Sequence, residues 1–293
     1  MKVVSLFNGM NTGRQALKNV GIKVEKYYSS EIKPYAIELT QHHFPDTIQV
    51  GDVTKWRDWD IDWQSIDLIL SGSPCQDLSA AGKRAGINGS KSSLFFVFVE
   101  ILEHTKSLNP NVLFLQENVG SASKLDVGTM SRSLGVYPVR INSSLVTAQL
   151  RDRYYWSNIR TRQDGMFGDI VTDIPQPKDK GILYKNITTS GNVNREKSKC
   201  LLEGLYNSFC YKDEKSIEAQ NYLIQKEAFG VPLIYEENFI RTVNKIEMCR
   251  LQGFPDNYCD ILSTAKAGSL LGDGWTLPII EHIFSFIDLK LAN

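Results

Sequence analysis

The sequence of 293 residues lacks an excess of charge of either sign, because 33 lysine and arginine residues are matched by 33 aspartate and glutamate residues. No protein-wide positive potential therefore attracts nucleic acid, and any such binding has to come from a local patch. The four histidines form no HxxxH pattern. The five cysteines are odd in number and show no paired metal-ligand spacing, which argues against a zinc site and against a disulfide framework.

Long apolar runs are also scarce. Residues 1–7 predict a short strand that enters a glycine turn, without the apolar stretch and cleavage site of a signal peptide and without a transmembrane segment. We therefore expect a soluble protein in a reducing compartment, cytoplasmic or associated with the nucleoid, with no membrane partner. With 42% hydrophobic residues the chain can bury a full core, and its length suits one large domain with a smaller insertion.

A strand, a glycine loop and a helix open the chain. Residues 3–7 predict the strand, residues 8–13 the loop and residues 14–19 the helix. Such a loop brings backbone donors at a helix start close to a ligand, as in the nucleotide sites of doubly wound folds. Its spacing is G-x-x-x-G, which is not the dinucleotide fingerprint, and turn chemistry alone explains most glycine loops.

Two acidic residues follow the next predicted strands. Glu31 comes after residues 24–29, and about twenty residues beyond a glycine loop an acid in this topology meets ribose hydroxyls. Asp52 comes after a third strand at residues 48–50, near the place where an adenine edge would lie. Each acid, taken alone, is more readily explained as a helix cap or as a solvated turn residue. The ordered set of loop and acids favours an adenosine site.

A cysteine follows the fourth predicted strand. Residues 67–70 read as a buried strand, and Pro74 cannot extend it because proline lacks the backbone donor. Cys75 would then lie at the carboxyl end of that strand, where open α/β sheets bind their ligands. This position suits a catalytic nucleophile, but most free cysteines are small buried hydrophobes, and the position alone leaves both readings open.

Several short motifs, in order, carry a resemblance to a known family. They are Leu6-Phe7-Asn8-Gly9-Met10-Asn11-Thr12-Gly13, Ser30-Glu31, Gly51-Asp52-Val53, Gly72-Ser73-Pro74-Cys75, Gln116-Glu117-Asn118-Val119 and Gln149-Leu150-Arg151-Asp152-Arg153. Together they resemble the DNA (cytosine-5) methyltransferase family, and residues 241–255 and 271–280 are similar to its ninth and tenth motifs. The wording of the amino-terminal motifs is nearest to the vertebrate de novo enzymes.

The resemblance implies a fold and a division into domains. It implies an α/β, Rossmann-like S-adenosylmethionine-dependent methyltransferase fold with a mostly parallel sheet. Residues 1–158 would form the catalytic and cofactor-binding domain, residues 159–240 a small target-recognition region, and residues 241–293 a segment that returns to the catalytic domain. The small region carries a local cluster of basic residues, which reads equally well as a solvated face. The cluster comprises Lys178, Lys180, Lys185, Arg195, Lys197 and Lys199.

The resemblance also implies a mechanism on a flipped-out base. Cys75 would add as a thiolate to C6 of cytosine, which makes the ring nucleophilic at C5. Glu117 would act at N3 as an acid whose pKa is raised in a dry pocket, and Arg153 would bind the carbonyl oxygen of the base. Arg151, two residues earlier on the same strand-like face, would support it or form a structural salt bridge. The glycine-rich segment 76–93 would close over DNA, or is a solvated linker.

The implied cofactor is S-adenosylmethionine, which leaves as S-adenosylhomocysteine, and no metal is expected. The residues expected to bind it are Phe7, Asn8, Gly9, Met10, Thr12, Glu31, Ile32, Asp52, Val53, Gly72, Pro74, Leu94, Gly274 and Trp275. Two positions depart from the family pattern. Asn8 stands where the de novo enzymes have an acid, and the run Gly272-Asp273-Gly274-Trp275 lacks the asparagine that the tenth motif often has.

The expected function is methylation of cytosine C5 in double-stranded DNA, as in restriction-modification. The small size of the target-recognition region suggests a short target sequence or help from a second subunit, either another copy of the chain or an unknown partner. Two alternatives stay open. One branch of the family methylates transfer RNA with the same motifs, and some relatives are catalytically silent regulators. The presence of Cys75, Glu117 and Arg153 favours an enzyme.

Overall fold

The computed structural model describes residues 1–74, 94–166, 168–202, 215–228 and 231–288. Cys75 and the glycine-rich segment 76–93 lie outside the described residues. The chain divides into two compact units. The first unit consists of Met1–Ile141, Asp152–Gln176 and Glu281–Asn293, and the second unit consists of Asn142–Arg151 and Pro177–Ile280.

A seven-stranded sheet is the centre of the first unit. Its strands are β1 Lys2–Leu6, β2 Lys26–Ser30, β3 Ile48–Gln49, β4 Leu68–Ser71, β5 Leu113–Val119, β6 Val139–Asn142 and β7 Asp152–Ser157. They are arranged in the order β3-β2-β1-β4-β5-β7-β6. The first five strands pair in parallel, and β7 pairs antiparallel with β5. The expected α/β fold with a mostly parallel sheet is confirmed.

Helices cover both faces of this sheet. They are α1 Thr12–Asn19, α2 Pro34–His43, α3 Leu94–Leu108 and α4 Lys124–Leu134. Val3 and Val4 are both fully buried, as expected for a strand with helices on either side. Val4 shares a core cluster with Phe98 of α3. On the opposite face α1 approaches β4 so closely that a Cβ atom on Gly13 would lie 2.4 Å from Leu70 Cδ1.

The parallel strands end at one edge of the sheet. Leu6 at the end of β1 is the register partner of Ser30 in β2 and of Ser71 in β4. Ser71 in turn pairs with Gln116 in β5. The loops that follow these strands are therefore neighbours in space, which is the arrangement that lets an α/β sheet bind a ligand at its carboxyl edge.

A hairpin of two strands, β8 Thr161–Asp164 and β9 Asp169–Thr172, also belongs to the first unit. The sequence placed it in the small region that begins at residue 159, and that division into functional domains stays a prediction. Two hydrogen bonds connect the hairpin to other segments of the first unit. Tyr137 N donates to Ile170 O at 2.8 Å, and Ser157 N donates to Thr172 Oγ1 at 3.0 Å.

The second unit combines a short hairpin with helices. Its elements are β10 Leu233–Tyr235, β11 Ile240–Thr242, α5 Ile217–Ala228, α6 Lys245–Gln252, α7 Thr264–Asp273 and the first half of α8 Leu277–Phe284. Helix α6 ends at Gly253, with φ at 78°. A Cβ atom there would lie 2.3 Å from Pro278 Cδ, so the position requires glycine on two counts.

The expected third segment, residues 241–293, stays a prediction. Residues 241–280 belong to the second unit, and Glu281–Asn293 belong to the first. The amide of Gln149 gives one physical reason, because its Nε2 donates to Leu251 O at the end of α6 and so holds that helix in the second unit. No helix in the described part of the chain is long and apolar enough to cross a membrane.

Candidate active site

The glycine loop after β1 is tightly curved. Phe7, Gly9 and Asn11 all have positive φ, at 55°, 55° and 63°. A positive φ is unfavourable for the two residues that are not glycine, and such backbone strain is concentrated at functional sites. Gly9 N donates to Glu31 Oε2 at 2.7 Å, which brings the loop and the end of β2 together.

Glu31 is held by backbone donors at the end of β2. Besides Gly9 N, the amides of Ile32 and Lys33 donate to its Oε1 at 2.8 and 2.9 Å. The neighbouring side chain of Ile32 is 71% exposed. A carboxylate beside an exposed apolar side chain offers the two kinds of contact that a nucleoside uses, hydrogen bonding and apolar packing.

The end of β3 lies beside the end of β2. Ser30 Oγ donates to Gly51 O at 2.7 Å, so Asp52 follows at the same edge. Asp52 Oδ1 accepts hydrogen bonds from Thr54 N and Thr54 Oγ1, both at 2.9 Å, and these donors lower the pKa of Asp52. Asp52 thus caps the turn that starts at the buried Val53, which is one of the two roles that its sequence position suggested.

Asn8 has its polar groups occupied within the protein. Its Nδ2 donates to Thr40 Oγ1 and its Oδ1 accepts from the Tyr27 hydroxyl, both at 3.3 Å. Its backbone N donates to Ser30 O, and its carbonyl accepts from Asn11 N. The expected part of Asn8 in cofactor binding stays a prediction. An asparagine suits this place because it donates and accepts at once, whereas a carboxylate only accepts.

The other expected cofactor residues fall into two groups. Most belong to the first unit and follow its strands or begin its helices. These are Met10 and Thr12 around the start of α1, Gly72 and Pro74 after β4, and Leu94 at the first position of α3. Gly274 and Trp275 belong to the second unit, and their expected part in cofactor binding stays a prediction.

Glu117 and Arg153 form an ion pair across β5 and β7. Glu117 is the register partner of Tyr155, and Arg153 lies two residues before Tyr155, so both side chains share one face of the sheet. Arg153 Nε lies 2.8 Å from Glu117 Oε1, and the two side chains are only 14% and 11% exposed. Strand β5 continues through Glu117 to Val119, and a guanidinium adjoins the carboxyl group. The expected role of Glu117 as an acid at N3 stays a prediction.

Arg151 lies before strand β7, so the two-residue alternation expected for Arg151 and Arg153 does not extend to it. Strand β7 begins only at Asp152, and Arg151 belongs to the second unit. Its guanidinium is buried, and among the described residues its hydrogen bonds go to Cys200 Sγ and to main-chain carbonyls. Its expected support of the base contact stays a prediction. Nη2 donates to Gly272 O at 3.0 Å and to Gly274 O at 2.8 Å, while Nη1 donates to Leu201 O at 3.2 Å. Arg151 thus fixes the chain at the end of α7, where a cation is favourable.

A bridge that sequence reasoning missed joins the ends of β4 and β5. Ser73 Oγ accepts hydrogen bonds from Gln116 Nε2 at 2.9 Å and from Asn118 Nδ2 at 3.4 Å. All three residues are buried. Gln116 and Asn118 flank Glu117, and Ser73 comes two residues before Cys75. The signal was present, because both sides of the bridge lie within the motifs that contain Cys75 and Glu117.

The expected basic cluster is smaller than the sequence suggests. Lys197 Nζ donates to the carbonyls of Ser144 and Ile182, and Arg195 pairs with Glu227 at 3.3 Å, so these two cations stabilise the second unit. Lys178, Lys180 and Lys185 are exposed. Among the described residues, no group of three or more histidine, cysteine, aspartate or glutamate side chains could hold a metal ion.

Comparison with known proteins adds independent findings. Residues 1–137 match the family model for C-5 cytosine-specific DNA methylase. Type II methyltransferase M.NgoBV from Neisseria gonorrhoeae is 37% identical over 123 residues, which are 41% of this chain and only 28% of that protein. Type II methyltransferase M1.ScrFI from Lactococcus lactis subsp. cremoris is 26% identical over 307 residues, covering 96% of this chain and 76% of that protein.

Solved structures show the same fold. The Entamoeba histolytica methyltransferase EhMeth has a TM-score of 0.67 at 14% identity, over 100% of this chain and 99% of that chain. These comparisons do not confirm the narrower expectation of a likeness to the vertebrate de novo enzymes. The ordered motifs, the mostly parallel sheet with antiparallel β7 and the match over residues 1–137 make the chain similar to C-5 cytosine-specific DNA methylases.

Proposed function

We propose that the protein transfers a methyl group from S-adenosylmethionine to C5 of cytosine in double-stranded DNA. The observation that carries this proposal is the Glu117–Arg153 pair, in which a carboxyl group and a guanidinium lie 2.8 Å apart at the carboxyl edge of the sheet. Both side chains are largely buried, and both come from motifs shared with the family.

The pair is complementary to one edge of cytosine. The ring presents N3 beside the carbonyl oxygen O2, and a nucleophile that adds to C6 moves negative charge onto both atoms. A carboxyl group at N3 and a guanidinium at O2 oppose that charge. Because two paired strands fix both side chains before the base arrives, little reorganisation is needed in the transition state.

Cys75 is the proposed nucleophile. Its thiolate forms a bond to C6, C5 then takes the methyl group from the sulfonium, and loss of the C5 proton expels the thiolate and restores the ring. Cys75 itself lies outside the described residues. Its neighbour Ser73 is tied to Gln116 and Asn118, which supports a fixed spacing between the cysteine motif and Glu117.

The residues at the carboxyl edge suit S-adenosylmethionine, which supplies an electrophilic methyl group. Glu31 can accept the ribose hydroxyls, and the exposed side chain of Ile32 can pack on the base. Buried polar atoms without a hydrogen-bond partner occur at the same edge, on Asn11, Ser71 and Gln116. Such atoms are costly unless a polar ligand or water satisfies them.

The proposed role of the second unit is recognition of the target sequence. Its exposed Lys178, Lys180 and Lys185 can contact phosphates, which position a protein on DNA without reading its sequence. The likeness to type II methyltransferases suggests a part in restriction-modification. The proposal also includes a second subunit, either another copy of the chain or a different protein, that helps to recognise the target.

Methyl transfer to matched DNA and RNA tests the proposal. We would incubate the protein with S-adenosylmethionine labelled in its methyl group and with a DNA duplex, the same sequence as RNA, and transfer RNA. We expect label in the duplex alone and a much slower rate of labelling with the Glu117→Gln variant. Label in RNA alone would show the transfer-RNA alternative, and tight cofactor binding without any transfer would show a silent regulator. Bisulfite sequencing of the methylated DNA would give the target sequence.

A further inference from the structure

A second ion pair, between Arg140 and Asp152, adjoins the Glu117–Arg153 pair. Arg140 belongs to β6 and Asp152 is the first residue of β7, and these two strands are neighbours in the sheet. Arg140 Nε donates to Asp152 Oδ2 at 2.8 Å, and Arg140 Nη2 donates to the same oxygen. The Arg140 guanidinium also contacts the ring of Tyr154, with Cζ 5.4 Å from the ring centroid. One cation of β6 thus contacts two residues of β7.

The two ion pairs belong to opposite faces of β7. Successive side chains of a strand point to opposite faces of the sheet, so the side chains of Asp152 and Arg153 point away from each other. Arg153 shares its face with Glu117. Arg140 contacts the other face, where Asp152 and Tyr154 lie. Any effect of Arg140 on the Glu117–Arg153 pair therefore has to pass through the main chain of Asp152.

The carbonyl group of Asp152 provides that connection. Asp152 O accepts one hydrogen bond from Arg153 Nη1 at 2.8 Å and another from Gly120 N at 3.0 Å. A carbonyl oxygen has two lone pairs, and these two donors use both of them. Gly120 directly follows β5, the strand that carries Glu117. A single oxygen atom thus fixes the Arg153 guanidinium relative to the strand of its partner.

Asp152 is held from two sides. A Cβ atom on Gly120 would lie 2.7 Å from Asp152 Oδ2 and 2.8 Å from Asp152 O, which is closer than a Cβ atom can approach these oxygens. Only glycine allows this contact between the end of β5 and the start of β7. With Gly120 on one side and Arg140 on the other, the peptide unit that carries the Asp152 carbonyl has little freedom to turn.

The exposure of the two pairs separates a positioning role from a structural one. The side chains of Arg140 and Asp152 are 55% and 32% exposed, whereas those of Arg153 and Glu117 are 14% and 11% exposed. An exposed ion pair contributes little to the stability of a fold. A small displacement of a group that acts on the transition state, by contrast, can slow a reaction strongly. The outer pair should therefore affect the reaction rate more than the stability of the protein.

We infer that Arg140 is a positioning residue for methyl transfer. Through Asp152 it sets the direction of the Arg153 guanidinium, which acts on O2 of the cytosine. Arg140 itself contacts neither the base nor the methyl donor in this role. The inference rests on the proposed function, because it is that function which assigns O2 to Arg153.

Single-turnover methylation of duplex DNA tests this role. Arg140→Gln removes the charge, and Arg140→Lys restores it, because both bonds of Arg140 converge on one oxygen that a single ammonium group can reach. At saturating DNA and S-adenosylmethionine we expect Arg140→Gln to lower the rate about tenfold, with KM for DNA and the melting temperature nearly unchanged. Arg140→Lys should recover most of the rate.

Arg160→Gln is the matched control. Arg160 forms an ion pair with Asp173 at 3.0 Å, with side chains that are 49% and 29% exposed, and it also contacts an aromatic ring, that of Phe286. This second exposed pair lies in the same unit but makes no contact with Asp152 or Arg153. We expect the control variant to methylate DNA at the wild-type rate.

A double variant tests whether Asp152 carries the effect. Asp152→Asn alone should slow the reaction, and Arg140→Gln should add little to that loss. The inference would be overturned by a wild-type rate in Arg140→Gln, by a loss that lysine does not recover, or by additive losses in the double variant. A rise in KM for DNA with a weaker salt dependence would overturn it as well, because Arg140 would then contact a phosphate. These results leave the proposed function standing, whereas a wild-type protein that methylates no cytosine would overturn both.

Discussion

Arg153 Nε and Glu117 Oε1 lie 2.8 Å apart on neighbouring antiparallel strands, with both side chains nearly excluded from solvent. This pair joins two motifs that are 36 positions apart in the sequence, through the register of β5 and β7.

Replacement of Glu117 should affect the chemical step. Glu117→Gln keeps the size of the side chain but can no longer share or donate a proton as a carboxyl group does. We expect kcat for methyl transfer to fall by about 10²–10⁴, with cofactor affinity nearly unchanged. Glu103→Gln, which alters an exposed glutamate of α3, is the matched control. A Glu117→Gln variant as active as this control would contradict the assigned role.

The Ser73 bridge should hold the cysteine motif in place. Ser73→Ala removes the acceptor of the buried Asn118 amide and one of the two acceptors of the Gln116 amide, which should lower the free energy of unfolding by about 1–3 kcal/mol. It should also slow adduct formation with 5-fluorocytosine DNA more than it weakens DNA binding. Ser65→Ala, at a serine that bonds only to the nearby Asp62 carbonyl, is the control. Adduct formation at the wild-type rate would show that the bridge is only structural.

Substitution by lysine should have different effects at Arg151 and at Arg153. Arg151 uses its planar fork to reach three carbonyls, and lysine cannot reproduce that geometry. We expect Arg151→Lys to lower the free energy of unfolding by about 1.5–3 kcal/mol, whereas Arg153→Lys should chiefly lower kcat. Thermal melts and single-turnover rates separate the two effects. An Arg151→Lys protein with wild-type stability and reduced kcat would restore the substrate-contact reading for Arg151.

A buried ion pair in the second unit should make stability depend on pH. Glu247 is fully buried and bonded to Arg241 through both oxygens, at 2.8 and 2.9 Å. Burial alone would raise the pKa of Glu247, but Arg241 and the backbone amides of Thr189 and Asn244 together hold it below its ordinary value of 4.5. The pair therefore stabilises the fold above that value, and the stabilisation is lost as pH falls below it.

Glu247→Gln should remove this dependence. At neutral pH we expect it to lower the free energy of unfolding by about 3–5 kcal/mol, because the partner cation stays buried. From about pH 5 to pH 3 the wild type should lose stability more steeply than the variant. Urea denaturation at several pH values measures both, with the exposed Glu237→Gln as control. Parallel pH profiles for the wild type and Glu247→Gln would contradict the account.

The sheet was predictable from the sequence because local patterns suffice for it. Apolar runs, a glycine loop and acids at strand ends indicate parallel strands whose carboxyl ends meet, and the structure places Glu31 beside Gly9 at that edge. The motif resemblance supplied the roles expected of Glu117 and Arg153. No local pattern, however, gave their distance, which depends on the antiparallel register of β7.

The misplaced features depend on contacts between distant segments. Arg151 differs from Arg153 because β7 starts one residue later than the alternation suggested, and its partners lie about 50 and 120 positions away. The sequence predicted Lys197 as part of a basic surface cluster, because its carbonyl partners lie in distant segments of the chain. An asparagine in a glycine loop is ordinary, so the sequence does not distinguish Asn11. Only the burial of its amide without hydrogen-bond partners sets it apart.

Covalent trapping tests the central claim most directly. Fluorine at C5 cannot leave as a proton does, so methyl transfer to 5-fluorocytosine should leave the DNA bonded to the nucleophile. We expect the wild-type protein to form an adduct that requires S-adenosylmethionine. Mass spectrometry should map this adduct to the peptide containing Cys75, and Cys75→Ala should not form it. Methyl transfer by Cys75→Ala, or an adduct on any other residue, would contradict it.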